Sequence, residues 1–333
     1  MTLPNGIIDV HTHYVPRGWP DLRPDAGPDA LWLKIESERD AVIMAGSREF
    51  RRISAECWDP DARIADMDSD GVAAQVVSPT PVFFHYARDG QQAARIARVF
   101  NDAALDLAAG APDRLIPFAQ VPLQDIDEAC REVDRCRANG HRGVEIGNHV
   151  GDRDLDDAGI VTFLQHCAAT GTPAFVHPWD MPTSPRLDRW MARWLTSMPA
   201  ETHLSLVAMI LGGAFDQIDP SLRICFAHGG GSFPFWLGRL ENAWHRRRDL
   251  IATSEHSPSH YLDRFYVDSV VFDPRALRLL VDTMGPHRVV IGSDYPYPLG
   301  ERPVGEVVRR SEFLDAATRS AICHGNALHF LHG

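Results

Sequence analysis

Two histidines, His11 and His13, follow directly on a short apolar run in GIIDVHTHYVP. In an extended strand, residues i and i+2 leave the same face, so both rings project together and begin a chelate. Taken alone the motif is weak, since 16 histidines among 333 residues give roughly 0.8 such pairs by chance. Its weight depends on whether other strands end in ligand-type residues. TPAFVHPWD ends a run at His177, RICFAHGGG at His228 and RVVIGSDYPYP at Asp294. Three neutral imidazoles and a carboxylate suit Zn²⁺ or a similar divalent ion, with one position left for water. Such an ion lowers the pKa of its water to about 7. His11, His13, His177 and Asp294 are therefore read as ligands. His228 suits a fifth ligand or the general base beside that water, and the base is favoured. Gly229, Gly230 and Gly231 suit a tight turn more than an anion-binding helix start.

These residues need a scaffold that brings strand ends to one mouth. Eight apolar, β-branched runs recur with helical patterns between them, at Ile7–His11, Val72–Ser78, Leu115–Val121, Gly143–Ile146, Pro173–His177, Arg223–His228, Phe265–Val270 and Arg288–Ser293. Helices are expected at Gln91–Ala109, Asp125–Ala138, Asp156–Ala169, Arg186–Phe215 and Phe233–Arg248. Repeated βα units of this number predict an α/β fold, a (β/α)₈ TIM barrel, whose catalytic groups gather at the C-terminal strand ends. A doubly wound open sheet is the alternative, but the first βα turn has no G-x-G-x-x-G. About fifty residues, 14–62, separate the first strand from the next helical pattern, and so long a connection calls for structure or function of its own. Leu31–Ile35 and Ala41–Met44 predict a small hairpin there, as a lid near the mouth. No linker divides the chain, so residues 1–333 are expected to form one domain.

Composition narrows the chemistry. A net charge of −12 argues against nucleic acid or an anionic membrane as partner. No run approaches a membrane span and the N-terminal residues lack a leader pattern, so a cytoplasmic protein is expected. The six cysteines show no C-x-x-C spacing, which disfavours both a disulfide framework and a thiolate zinc site. Lys34 is the one lysine in the chain, which disfavours Schiff-base catalysis and a lysine-bridged two-metal centre. His85, His141, His149, His203, His245 and His260 lie off the strand-end pattern and read as surface or structural residues.

DVHTH, FVHPWD, FAHGGGSF and GSDYPYPLG together resemble the amidohydrolase superfamily, in its decarboxylase branch. The likeness runs almost end to end, through WDPDARIADMDSDGVAAQVVSPTPVFF, AQVPLQDIDEAC and ICFAHGGGSFPFWLGRLENAW. It implies one Zn²⁺ per chain on His11, His13, His177 and Asp294, with His228 beside the metal water. It also implies non-oxidative loss of CO₂ from a small anionic dicarboxylate held by Arg51 and Arg239, and a homodimer in which Arg239 serves the neighbouring site. From the residues alone both arginines read as surface groups. Tyr297 departs from the phenylalanine expected there and adds a hydrogen-bonding group near Asp294. Two reaction schemes are open: hydroxide addition to the double bond beside the carboxylate, or substrate chelation with protonation at carbon. The rival functions are a metal-dependent hydrolase acting on a lactone or amide, and a zinc scaffold without catalysis.

Overall fold

A computed structural model describes residues 3–19 and 30–333. Eight parallel strands run in the order β1 (Ile7–Asp9), β6 (Val72–Pro79), β7 (Leu115–Gln120), β8 (Gly143–Gly147), β11 (Ala174–His177), β12 (Ile224–Phe226), β13 (Tyr266–Asp268) and β14 (Val289–Val290). All eight lie within one residue of the expected runs or inside them. Parallel bridges from Asp9 to Ile291 and from Thr12 to Tyr295 bring the ends of the sheet together, giving a nearly closed, distorted TIM barrel surrounded by helices. The seam is stitched by the chemically interesting residues' own backbone: Asp294 N–H donates to His11 C=O at 2.9 Å, and His13 N–H to Tyr295 C=O at 2.7 Å. A short strand, β2 (His13–Tyr14), continues beyond β1 and pairs His13 with Ser78 of β6, and a small antiparallel pair, β9 (His149–Val150) and β10 (Arg153–Asp154), follows β8.

The strands read as apolar runs because both faces are covered. Ile8, Val10, Val76, Phe118, Phe175 and Cys225 fill the barrel's interior cluster, while Val77, Val144, Ile146, Val176 and Phe226 pack outward under the helices. The helix Gly90–Ala109 starts where Asp89 accepts from the N–H groups of Gln91 and Gln92, and that of Ala158–Thr170 where Asp157 caps Gly159 and Ile160. The expected helical stretch Arg186–Phe215 is broken into a short turn at Pro185–Leu187, a wide turn at Arg193–Ser197, and helices at Met198–Leu211 and Ala214–Gln217. Pro199 and the Gly212-Gly213 pair account for much of the interruption, since neither residue type sustains a helix interior.

The long first connection carries a three-stranded antiparallel sheet, β3 (Leu31–Ile35), β4 (Asp40–Ala45) and β5 (Arg48–Ser54). The hairpin is in the expected place, with Leu31 opposite Ala45 and Ile35 opposite Ala41. Its third strand, REFRRIS, is exposed along most of its length and so lacks the apolar alternation by which a half-buried strand is recognised. Residues 20–29 of the same connection lie outside the described residues. Among the described residues, no helix is long and apolar enough to cross a membrane.

Candidate active site

His11 follows β1, His13 opens β2, His177 closes β11, His228 lies two residues past β12, and Asp294 lies four past β14. The barrel brings all five together. Their rings meet edge to face, His11 to His13 at 5.2 Å, His11 to His177 at 5.0 Å, His13 to His177 at 4.9 Å and His177 to His228 at 5.1 Å between centroids. Donor atoms of His11, His177, His228 and Asp294 all lie within 4.8 Å of one another. His13 Nε2 is 3.1 Å and His11 Nε2 3.6 Å from Asp294 Oδ1.

The test of fit for a cation lies in the buried nitrogens. His11 Nε2 and His177 Nε2 are buried with no hydrogen-bond partner, a state in which buried polar groups are seldom left, and His13 Nε2 faces the Asp294 carboxylate at 3.1 Å. Their opposite ring nitrogens explain the orientation of two of them. His11 Nδ1–H donates to Asp268 Oδ2 at 2.7 Å, and His177 Nδ1–H to Pro178 C=O at 3.0 Å. Each contact fixes the tautomer and turns an Nε2 lone pair into the cluster, as outer partners do for metal-binding histidines. The donor set fits a divalent cation.

Electrostatics agree with neutral imidazoles around a carboxylate. Burial first, then the hydrogen bond and charge of neighbouring groups, sets each group: His13 is pushed down to about 4, and His177 well below the usual range. Burial also lowers His228, helped by the charge of His11. His11 is the exception. Burial pulls it down, but the hydrogen bond and charge of Asp268, aided by Asp294, more than offset this and raise it. For Asp294, burial acts upward and is outweighed by its contacts to His13 and His11, so its carboxyl sits below the usual range.

Asp268, the last residue of β13, was not singled out from the sequence, although it occupies a strand end as Asp294 does. Besides His11, it accepts from Gly229 N–H at 2.8 Å and Val270 N–H at 3.1 Å, so it ties the first strand to the turn that carries His228. That turn is the tight one expected. Gly229, Gly230 and Gly231 have φ of 62, 71 and 62°, and a Cβ on Gly231 would stand 2.0 Å from Pro199 O. Arg63, fully buried in DARIADMD, likewise carries no signal in the sequence pattern. It donates to Thr12 Oγ1 at 3.0 Å, to Gln75 Oε1 at 3.2 Å and to His13 C=O, and thereby holds the His11–His13 segment from behind. A third such residue is Glu145 of β8, a carboxyl in an apolar strand, completely buried and 3.8 Å from His13 Nδ1.

Arg51 lies on β5 of the inserted sheet, its guanidinium 4.4 Å over the Tyr297 ring, and that ring is 5.6 Å from His13. The insertion thus delivers a cation close to the cluster. The Tyr297 hydroxyl meets Thr80 Oγ1, which itself donates to Tyr14 C=O at 3.0 Å, so the phenol proton is directed to Thr80. Arg239 is not brought to the cluster within one chain. It is exposed on the helix Phe233–Ile251, with its guanidinium 5.9 Å from the Trp236 ring. Lys34 is exposed and pairs with Glu36 at 3.1 Å, away from any such chemistry.

Comparison with known proteins gives this geometry a lineage. A curated 2-amino-3-carboxymuconate-6-semialdehyde decarboxylase from Dictyostelium discoideum is 38% identical over 97% of this chain and 91% of its own length. The solved Metarhizium anisopliae IDCase superposes with a TM-score of 0.83 over 98% of this chain and 97% of that one, at 22% identity. The crystal structure of 5-carboxyvanillate decarboxylase from Novosphingobium aromaticivorans, 25% identical, with a TM-score of 0.78 and covering 98% and 96% of the two chains, is complexed with manganese and 4-hydroxy-3-methoxy-5-nitrobenzoic acid. The manganese corrects the expectation of one Zn²⁺ per chain. The physical reason is that imidazole and carboxylate donors serve Mn²⁺ as well, while the soft thiolates that select zinc are absent from the cluster. The amidohydrolase family model matches residues 8–333, and the chain belongs to that family, in its decarboxylase branch.

Proposed function

We propose that this protein is a metal-dependent decarboxylase of 2-amino-3-carboxymuconate-6-semialdehyde, yielding 2-aminomuconate-6-semialdehyde. The observation that carries the substrate is the 38% identity, almost end to end, with the Dictyostelium enzyme of that name. The reaction would belong to tryptophan breakdown through kynurenine. A divalent cation held by His11, His13, His177 and Asp294 would supply Lewis acidity at the mouth of the barrel.

The chain's own groups do the rest. His228, kept neutral by burial, takes a proton from water as the water oxygen joins the amino-bearing carbon of the conjugated double bond. It then gives that proton to the adjacent carbon, which carries the carboxylate. Cleavage of the bond to CO₂ re-forms the double bond and expels hydroxide, so a hydrogen replaces the carboxylate and the water is restored once hydroxide regains a proton. Arg51, placed over Tyr297, holds one carboxylate of the dianion. Arg239 of a second copy holds the other. Exposed Trp190, Phe235 and Trp236, at 73%, 68% and 42%, lie on the segments Pro185–Leu211 and Phe233–Ile251 and supply apolar surface for that homodimer. The inserted sheet acts as a lid over the mouth, within one catalytic domain.

Mn²⁺-loaded protein mixed with freshly generated substrate tests this. Accelerated loss of near-ultraviolet absorbance with stoichiometric CO₂, against slow spontaneous cyclisation, is expected. No acceleration in metal-loaded protein would refute the substrate, and metal-dependent hydrolysis of a lactone or amide without CO₂ would favour a hydrolase.

A further inference from the structure

Each histidine that gives its Nε2 to a cation must carry its single proton on Nδ1, because a neutral imidazole has one N–H and one lone pair. That proton needs an acceptor when the ring is buried. His11 has Asp268 and His177 has the Pro178 carbonyl. His13 has none: its Nδ1 is buried and without a partner. The carboxylate facing that atom is Glu145, 3.8 Å away, completely buried, with neither oxygen hydrogen-bonded. Two orphaned polar groups inside a barrel are each costly, and here they face one another.

The gap between them has a simple origin. Without a cation, His13 Nε2 can direct its proton to Asp294 Oδ1, 3.1 Å away, leaving Nδ1 with a bare lone pair turned toward an acid. Once Nε2 is a ligand, the proton passes to Nδ1, and an approach of about 1 Å gives a charge-assisted hydrogen bond of ordinary length. Glu145 is well placed for this. It pairs in register with Phe175 of β11, whose ring lies 4.9 Å from His11, so this row of the sheet points to the cluster.

We propose that Glu145 is a positioning residue that accepts the Nδ1 proton of His13 when a divalent cation is bound, completing for His13 what Asp268 does for His11. The proposal rests on reading the cluster as a metal site, and its test separates the two. Mn²⁺ is titrated into metal-free protein and the unbound ion followed by electron paramagnetic resonance. Glu145→Gln is expected to weaken Mn²⁺ binding by ~10–100-fold, the usual effect of losing such an outer partner, while the thermal midpoint of the metal-free protein stays the same or rises. In a His13→Ala background the same substitution is expected to change Mn²⁺ affinity by less than about threefold, since coupled groups are not additive. Should Glu145→Gln fail to fold, Glu145→Met, of similar volume, carries the same expectations. Unchanged affinity, a lowered metal-free midpoint, or an equal loss with and without His13 would each overturn the proposal; the last would mean that Glu145 acts only by its charge. Failure of the wild-type protein to bind Mn²⁺ would instead overturn the metal reading, and the role of Glu145 with it.

Discussion

Replacing Asp268 by Asn should uncouple metal binding from folding. The carboxylate receives three hydrogen bonds on two oxygens, from His11 Nδ1 at 2.7 Å and from the N–H groups of Gly229 and Val270 at 2.8 and 3.1 Å. An amide has one acceptor oxygen. Facing two backbone donors on one side and one ring donor on the other, it satisfies more by turning that oxygen to the backbone. Its NH₂ then points at His11 Nδ1, which must become the acceptor, and the ring proton moves to Nε2, the nitrogen a cation needs. Removing an outer partner of this kind costs ~10–100-fold in metal affinity, or ~1.4–2.7 kcal/mol. That matches the ~1.5–3 kcal/mol assigned to a hydrogen bond to a charged group. Mn²⁺ titration should therefore show weakening toward the upper end, while the metal-free protein keeps a cooperative thermal transition because its backbone acceptor survives. An Mn²⁺ affinity within threefold of wild type, in folded protein, would refute the tautomer argument.

Mixing two inactive variants tests the shared site: Arg239→Ala with His228→Ala should recover about a quarter of wild-type activity, because half the dimers are mixed and each contains one intact centre. No recovery, in dimers shown to exchange, would place Arg239 outside the partner's site. Tyr297→Phe removes the contact to Thr80 but keeps the ring under Arg51, so KM should change by less than about fivefold, whereas Tyr297→Leu also removes a cation–π contact of ~0.5–2 kcal/mol and should raise KM further with a smaller effect on kcat. Equal effects of the two would assign the role to the hydroxyl. Acid should weaken the contribution of the histidine cluster to the metal-free protein: His13, at about 4, and His177 and His228, also lowered, bind fewer protons folded than unfolded, so that contribution falls as pH drops below 6.5 and through 4, opposed by Asp9 and Glu301, which burial raises to about 7. His11, raised, works the other way and loses its contribution as pH rises above 6.5. Denaturant melts between pH 4 and 7 should show a shallower loss in acid for His13→Ala than for the wild type, and parallel pH profiles would contradict it.

The barrel was legible because fully buried parallel strands leave a plain record: runs such as AFVH and ICF admit little but apolar residues, and His177 and His228 stand at or just beyond their ends. The hairpin Leu31–Ile35 with Asp40–Ala45 was legible for its apolar strands, whereas its neighbour Arg48–Ser54 hides behind charge. Asp268 and Glu145 were missed for a different reason. A lone acid in an apolar strand has no spacing signature, and its importance lies in a partner far away in sequence. Arg63 looked like one more charge on a helix; that it is buried against the His13 carbonyl depends on how that helix docks. The metal was beyond the sequence because nitrogen and oxygen donors specify a divalent cation without naming one.

The seam of the barrel has a temporal consequence. The proposed ligands straddle it, His11 and His13 on the first strand's side and Asp294 on the last's, where isolated bridges, a few backbone hydrogen bonds and the Ser293–Asp9 contact hold the sheet shut. A chain emerging from its N-terminus displays the imidazoles of His11 and His13 long before the carboxylate of Asp294. No nascent fragment short of Asp294 owns the complete donor set, so premature capture of a cation is weak and the finished centre appears only as the eighth strand docks. Closing the longest loop in the molecule carries an entropic cost that grows only with the logarithm of its length. One bound cation spanning that joint would latch the two ends of the fold, and loading the metal and shutting the barrel become the same event.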